Sequence, residues 1–92
     1  MKIINQEEKI KKKISQLKKR NSKIVMCHGV FDVIHYGHIL HFEEAKKMGD
    51  KLIISITSDR FVKKGFNRPF FDLNVRMSTI AALGIVDYVV PS

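Results

Sequence analysis

The stretch His28-Gly29-Val30-Phe31-Asp32-Val33-Ile34-His35-Tyr36-Gly37-His38 decides the fold, because of what flanks it. Before it, Lys23-Ile24-Val25-Met26-Cys27 is a short apolar run rich in β-branched residues. Such a run reads as a buried strand, and Gly29 ends it. After it, Ile39, Leu40, Phe42, Ala45 and Met48 share one face of a helix from about Tyr36 to Met48. Gly49 follows as the C-terminal cap. The stretch is therefore a strand-to-helix turn.

The same alternation continues outward. Leu52-Ile53-Ile54-Ser55-Ile56-Thr57 reads as a second strand. Ser58 or Asp59 is placed to cap a short helix running through Lys64 and ended by Gly65. Residues 65–72 form a loop around Arg68-Pro69. Asp72 caps a further helix over 73–83, with Met77, Ile80 and Ala81 facing inward, and residues 86–90 form a third strand. Toward the N-terminus, Ile10, Ile14 and Leu17 make one narrow apolar stripe on a lysine-rich helix over residues 6–20, which Asn21 and Ser22 break.

Apolar strands alternating with helices predict an α/β domain, a Rossmann-like parallel sheet of β-α-β-α-β order covered on both faces. An extra helix precedes it. The predicted division is a basic helical segment over 1–23 and a core over 24–92. The crossovers should be right-handed, and ligands in such sheets bind beyond the carboxyl ends of the strands. The loop over 28–38 is thereby put in the site, bordered by residues 58–65.

Composition narrows the class. Ninety-two residues with 45% apolar and 28% charged side chains make one globular domain with a modest core. The single cysteine, Cys27, excludes an internal disulfide. No apolar run reaches the roughly 20 residues that span a bilayer, and residues 1–23 lack the pattern of a signal peptide. The expected location is the cytoplasm, with no membrane partner. The net charge of +8 is uneven: residues 1–23 carry +7 and the other 69 carry +1. That distribution reads as a solvated helix face rather than a nucleic-acid footprint, and no aromatic side chains interleave with the lysines.

The turn itself carries the chemistry. Gly37 has no Cβ, so a phosphate can approach its backbone closely. The helix that follows offers free N–H groups and the positive end of its dipole. His35 and His38, three residues apart, can lie on one side of that helix start. Each ring can donate a hydrogen bond to phosphate, more strongly when charged. Three readings of the pair compete: polar residues at a helix entry, a metal pair with Asp32, and phosphate handling in a nucleotide site. A metal pair would want further ligands, and no H-E-x-x-H or cysteine cluster is present.

The string GVFDVIHYGH resembles the G-x-F-D-x-x-H-x-G-H signature of the cytidylyltransferase-like nucleotidyltransferases. The resemblance continues through EEAKKMGDKLIISITSD, KKG, RP, Arg76 and IVDYVVPS, covering about residues 24–92. The N-terminal helix and the spacing from SD through KKG to RP draw it toward the bacterial heptose 1-phosphate adenylyltransferase type. The family's second signature, an S-[ST]-T-like helix start, has no counterpart before Ser92, so the chain is expected to hold only part of the family domain.

The resemblance implies transfer of AMP or CMP from ATP or CTP to a sugar phosphate or polyol phosphate, with release of pyrophosphate and with Mg²⁺ accompanying the triphosphate. It implies catalytic roles for His35, His38, Lys63 and Arg76. Gly29, Val30, Phe31, Asp32, Gly37, His38 and Lys64 would contact the nucleotide, and Asp32, Ser58, Asp59 and Arg76 the second substrate. Members are often dimers, so a homodimer is also in view. The alternative is a non-catalytic nucleotide-binding module, or a partial domain needing a partner.

Overall fold

The computed structural model describes residues 2–62 and 69–92. The elements follow in the order α1 (Glu7–Lys19), β1 (Ile24–Gly29), α2 (Tyr36–Lys46), β2 (Lys51–Ile56), a single 3-10 turn (Asp59–Phe61), α3 (Leu73–Ala81) and β3 (Tyr88–Pro91). The three strands form one parallel sheet in the order β1-β2-β3. Ile3 extends it by one parallel bridge to Val89 beyond β3, an addition the sequence does not announce.

Two crossovers of one hand that step in the same direction leave both helices on one face of the sheet. The core shows this arrangement. Phe42 and Ala45 of α2 pack with Met77 and Ile80 of α3 over Cys27, Leu52, Ile54, Ile56 and Val89. Phe42, Leu52, Ile54, Ile56 and Ile80 are fully buried, and each such side chain contributes about 1.5–3 kcal/mol. Strand alternation sends Ile53, Ser55 and Tyr88 to the other face. There α1 lies across the sheet, with Lys13 Nζ 5.3 Å from the centre of the Tyr88 ring and Leu17 buried.

Local chemistry explains the boundaries. Asn21 takes φ 57°, the left-handed conformation that ends a helix, and Ser22 N donates to Leu17 O at 3.0 Å. Gly49 closes the α2–β2 connection because any Cβ there would sit 2.7 Å from Lys23 O. Asp72 caps α3 by accepting Val75 N–H at 3.0 Å.

Three expectations are corrected. The helix expected from Ser58 or Asp59 through Lys64 is, over the described residues, one 3-10 turn, and Ser58 makes no side-chain cap. α3 stops at Ala81, two residues early. β3 starts at Tyr88 rather than Val86, because Asp87 turns inward to accept Leu52 N–H at 2.7 Å and to pair with Lys46. Burial alone would raise the Asp87 pKa. The Lys46 and Leu52 hydrogen bonds, with the charges of Lys46 and Lys51, outweigh it and hold the carboxyl below its ordinary value.

Candidate active site

The carboxyl ends of the strands carry the turn over 30–35 and the N-terminus of α2. A cavity of about 450 Å³ opens there, lined by Val30, Phe31, Asp32, Val33, His35, His38 and Val62. All but Val33 and Val62 are candidates from the sequence. Val33 stands inside the quoted turn, but nothing in the sequence singles it out. Val62 comes near only because the chain turns at Asp59–Phe61.

His35 is the N-cap of α2, and the two histidines cap that helix reciprocally. Gly37 N–H donates to Nδ1 of His35 at 2.9 Å, and His35 N–H donates to Nδ1 of His38 at 3.2 Å. Each Nδ1 is therefore an acceptor, so each neutral ring carries its proton on Nε2. The spacing is what permits this: residues at N-cap and N3 exchange such bonds across one turn. The result is two N–H donors whose tautomer is set by the backbone.

This geometry gives Gly37 a second role. A Cβ at that position would lie 2.7 Å from Cε1 and 3.0 Å from Nδ1 of His35. The missing side chain makes room for the capping ring. Protonating Nδ1 of His38 would break its bond to the His35 N–H. Desolvation, then the charges of His35 and His41, push the His38 pKa below the ordinary histidine value.

Phe31 takes φ 50°, a left-handed conformation that a bulky residue rarely adopts. Such strain costs about 1–3 kcal/mol and persists only where the surroundings enforce it. The Phe31 ring lies over Gly29, where a Cβ would meet its Cζ at 2.8 Å. It also packs edge-on against Phe42, with centroids 5.3 Å apart, and against His38 at 5.8 Å.

Asp32 ties the turn to the segment before α3. Its carboxylate accepts Phe70 N–H at 2.7 Å and Phe71 N–H at 2.9 Å. Ser58 Oγ donates to Ser92 O at 3.1 Å, between the ends of β2 and β3. Asp59 pairs with Arg76. Arg76 itself does not face the cavity. It is 1% exposed, and its guanidinium donates to Phe71 O, Val30 O, Thr57 O and Asp59. Its hydrogen-bonding capacity is thereby largely spent inside the chain. Lys63 and Lys64 lie outside the described residues. Beside the turn, His28 contacts Ser55 Oγ through Nδ1 at 3.1 Å and Thr57 Oγ1 through Nε2 at 3.4 Å, a grouping that no sequence pattern announces. Among the described residues, no group of three or more His, Cys, Asp or Glu side chains converges as for a metal ion.

With this geometry in hand, comparison with known proteins identifies the lineage. The Cytidylyltransferase-like family matches residues 26–92. The chain belongs to that family. It is 47% identical over 87 residues to the bifunctional protein HldE of Actinobacillus pleuropneumoniae serotype 5b, covering 92% of this chain and 18% of that protein. Against the bifunctional protein HldE of Haemophilus influenzae strain PittEE, identity is 46% over 90 residues, 96% of this chain and 19% of the other. The chain thus spans under a fifth of the length of these curated relatives. The fold is also that of a solved structure, the lipopolysaccharide core biosynthesis protein from Thermoplasma volcanium. The TM-score is 0.72 at 37% identity, covering 77% of this chain and 58% of that one. Among the described residues, no helix is long and apolar enough to cross a membrane.

Proposed function

We propose that this domain binds the triphosphate of ATP or CTP at the start of α2 and transfers the nucleoside monophosphate to a sugar phosphate or polyol phosphate. The reading is carried by one observation, the reciprocal cap that leaves His35 and His38 with Nε2–H donors at a cavity-lining helix N-terminus. A phosphate oxygen of the acceptor attacks the α-phosphorus. A new P–O bond forms, the bond to the bridging α–β oxygen breaks, and pyrophosphate leaves with that electron pair. The attacking oxygen is already ionised, so no general base is required. The histidine donors stabilise charge on the α-phosphate oxygens as it develops.

Mg²⁺ would enter this site as a companion of the nucleotide, held chiefly by its phosphates and water, since both Asp32 carboxylate oxygens already accept backbone N–H groups. The ion is commonly held by substrate phosphates, water and one or two carboxylates, and it neutralises phosphate charge. Asp32 is the carboxylate among the described cavity-lining residues. The solved Thermoplasma relative is a lipopolysaccharide core biosynthesis protein, which favours a sugar phosphate as the acceptor.

Calorimetry with ATP and with CTP, each with Mg²⁺, tests the reading on the wild type and on the double variant His35→Ala/His38→Ala. The expected result is binding of one nucleotide that the double variant loses. Binding that survives both substitutions would place the nucleotide elsewhere and end the proposal. For turnover, pyrophosphate release with a panel of sugar phosphates should fall by at least about 100-fold in His38→Ala, the scale for losing one electrostatic donor.

A further inference from the structure

The buried arginine has a use that its position inside the core conceals. Arg76 Nη1 donates to Val30 O at 2.9 Å and to Thr57 O at 2.8 Å, while Nε donates to Phe71 O at 2.9 Å. One side chain thus gathers the turn after β1, the end of β2 and the approach to α3. The Val30 carbonyl is the informative contact. In a trans peptide the C=O and the following N–H point in opposite directions. With Val30 O drawn inward to the guanidinium, the N–H of Phe31 faces away from it. Val30 and Phe31 both line the cavity. Among the described residues, the Phe31 N–H donates to no acceptor. The left-handed φ of Phe31 supplies one of the two hands whose alternation lets successive N–H groups form anion-binding concavities.

We infer that Arg76 is a positioning residue: by holding the Val30 carbonyl inward, it aims the Phe31 N–H into the cavity as a phosphate donor beside the His35 and His38 rings. The inference rests on the nucleotide reading above. It separates two duties that the sequence merges. The histidines and the Phe31 amide meet the ligand, and Arg76 acts through the peptide between Val30 and Phe31. Asp59 anchors the guanidinium from the solvent side. The preorganised amide requires no rearrangement when charge develops on phosphate, which is the condition for effective electrostatic stabilisation.

The test is nitrogen-15 NMR of the full 92-residue chain, titrated with inorganic tripolyphosphate and Mg²⁺ and read at the Phe31 amide and at the His35 and His38 ring nitrogens. In the wild type all three should shift together. In Arg76→Lys, which keeps the charge and loses the fork, the ring signals should still respond. The Phe31 response should vanish and the dissociation constant should rise about tenfold. Should the lysine variant not fold, Asp59→Asn serves instead: it loosens the same guanidinium from an exposed position and should weaken binding about threefold, with the Phe31 shift reduced selectively. A Phe31 response retained in a folded variant, or absent from a wild type whose rings respond, overturns the inference and leaves the nucleotide reading standing. Silence at all three positions in the wild type overturns both.

Discussion

His38 accepts the backbone N–H of His35 through Nδ1 at 3.2 Å, so the second histidine of the pair helps fix the conformation from which the first one caps the helix. Neither ring is an independent ligand group. Each depends on the backbone of the same turn, and a change at Gly37 reaches both.

Gly37→Ala is therefore expected to separate stability from binding. The new Cβ displaces the His35 ring and forfeits a cap of about 0.5–2 kcal/mol, while alanine in place of glycine returns up to about 1 kcal/mol of helix propensity. The melting temperature should move by only a few degrees. Nucleotide affinity should fall at least about tenfold. Thermal denaturation and calorimetry on the same sample check both, and unchanged affinity would show that the cap does not set the donors.

The His38 pKa fixes a pH slope with a definite sign. Its folded pKa lies below the unfolded value of about 6.5, so the unfolded chain binds more protons through that window. The contribution to stability is complete above about pH 6.5 and declines as pH falls through the folded value. Urea denaturation at several pH values between 5 and 8 should show this decline in the wild type and a shallower one in His38→Asn.

Asp87 gives a second slope at lower pH. Its folded pKa lies below the ordinary carboxylate value, so its contribution is present above about pH 4 and is lost on further acidification. Asp87→Asn removes the ionic partner of the partly exposed Lys46 and weakens the bond to Leu52 N–H, at a cost of about 1–2 kcal/mol. Denaturant midpoints at pH 7 should show the loss, and the gap between the two proteins should narrow as pH falls below about 4.

Phe42→Ala should damage the core and the site together. Deleting this fully buried ring costs about 3–5 kcal/mol, a large part of the 5–15 kcal/mol typical of a domain. It also removes the edge-on partner of the Phe31 ring. A folded Phe42→Ala protein that retained wild-type nucleotide affinity would argue that the Phe31 turn is held by the backbone alone.

Much of this architecture is legible in the sequence because apolar periodicity and helix punctuation are strong there. The strand before Gly29, the helix from Tyr36 and the Asp72 cap follow from such signals. The start of β3 is not legible, because Asp87 bonds to Leu52 N–H, 35 residues away, and no local pattern encodes that. Asp59 is likewise drawn to Arg76 rather than acting as a helix cap. One signal for Arg76 does exist: it stands three residues after Leu73 and four before Ile80, within the apolar stripe of α3. A charge in that stripe must find acceptors inside the protein, and the acceptors come from three separate loops.

The bridge between Ile3 and Val89 gives the molecule a temporal order as well as a shape. The two β-α-β units join strands that are neighbours along the chain. The pairing of Ile3 with Val89 instead closes almost the whole polypeptide into one loop, the contact with the greatest entropic penalty. It is accordingly expected to be the last part of the sheet to assemble and the first to open, which amide hydrogen exchange at Ile4 and Val89 would show as weaker protection than at the β1–β2 pairs.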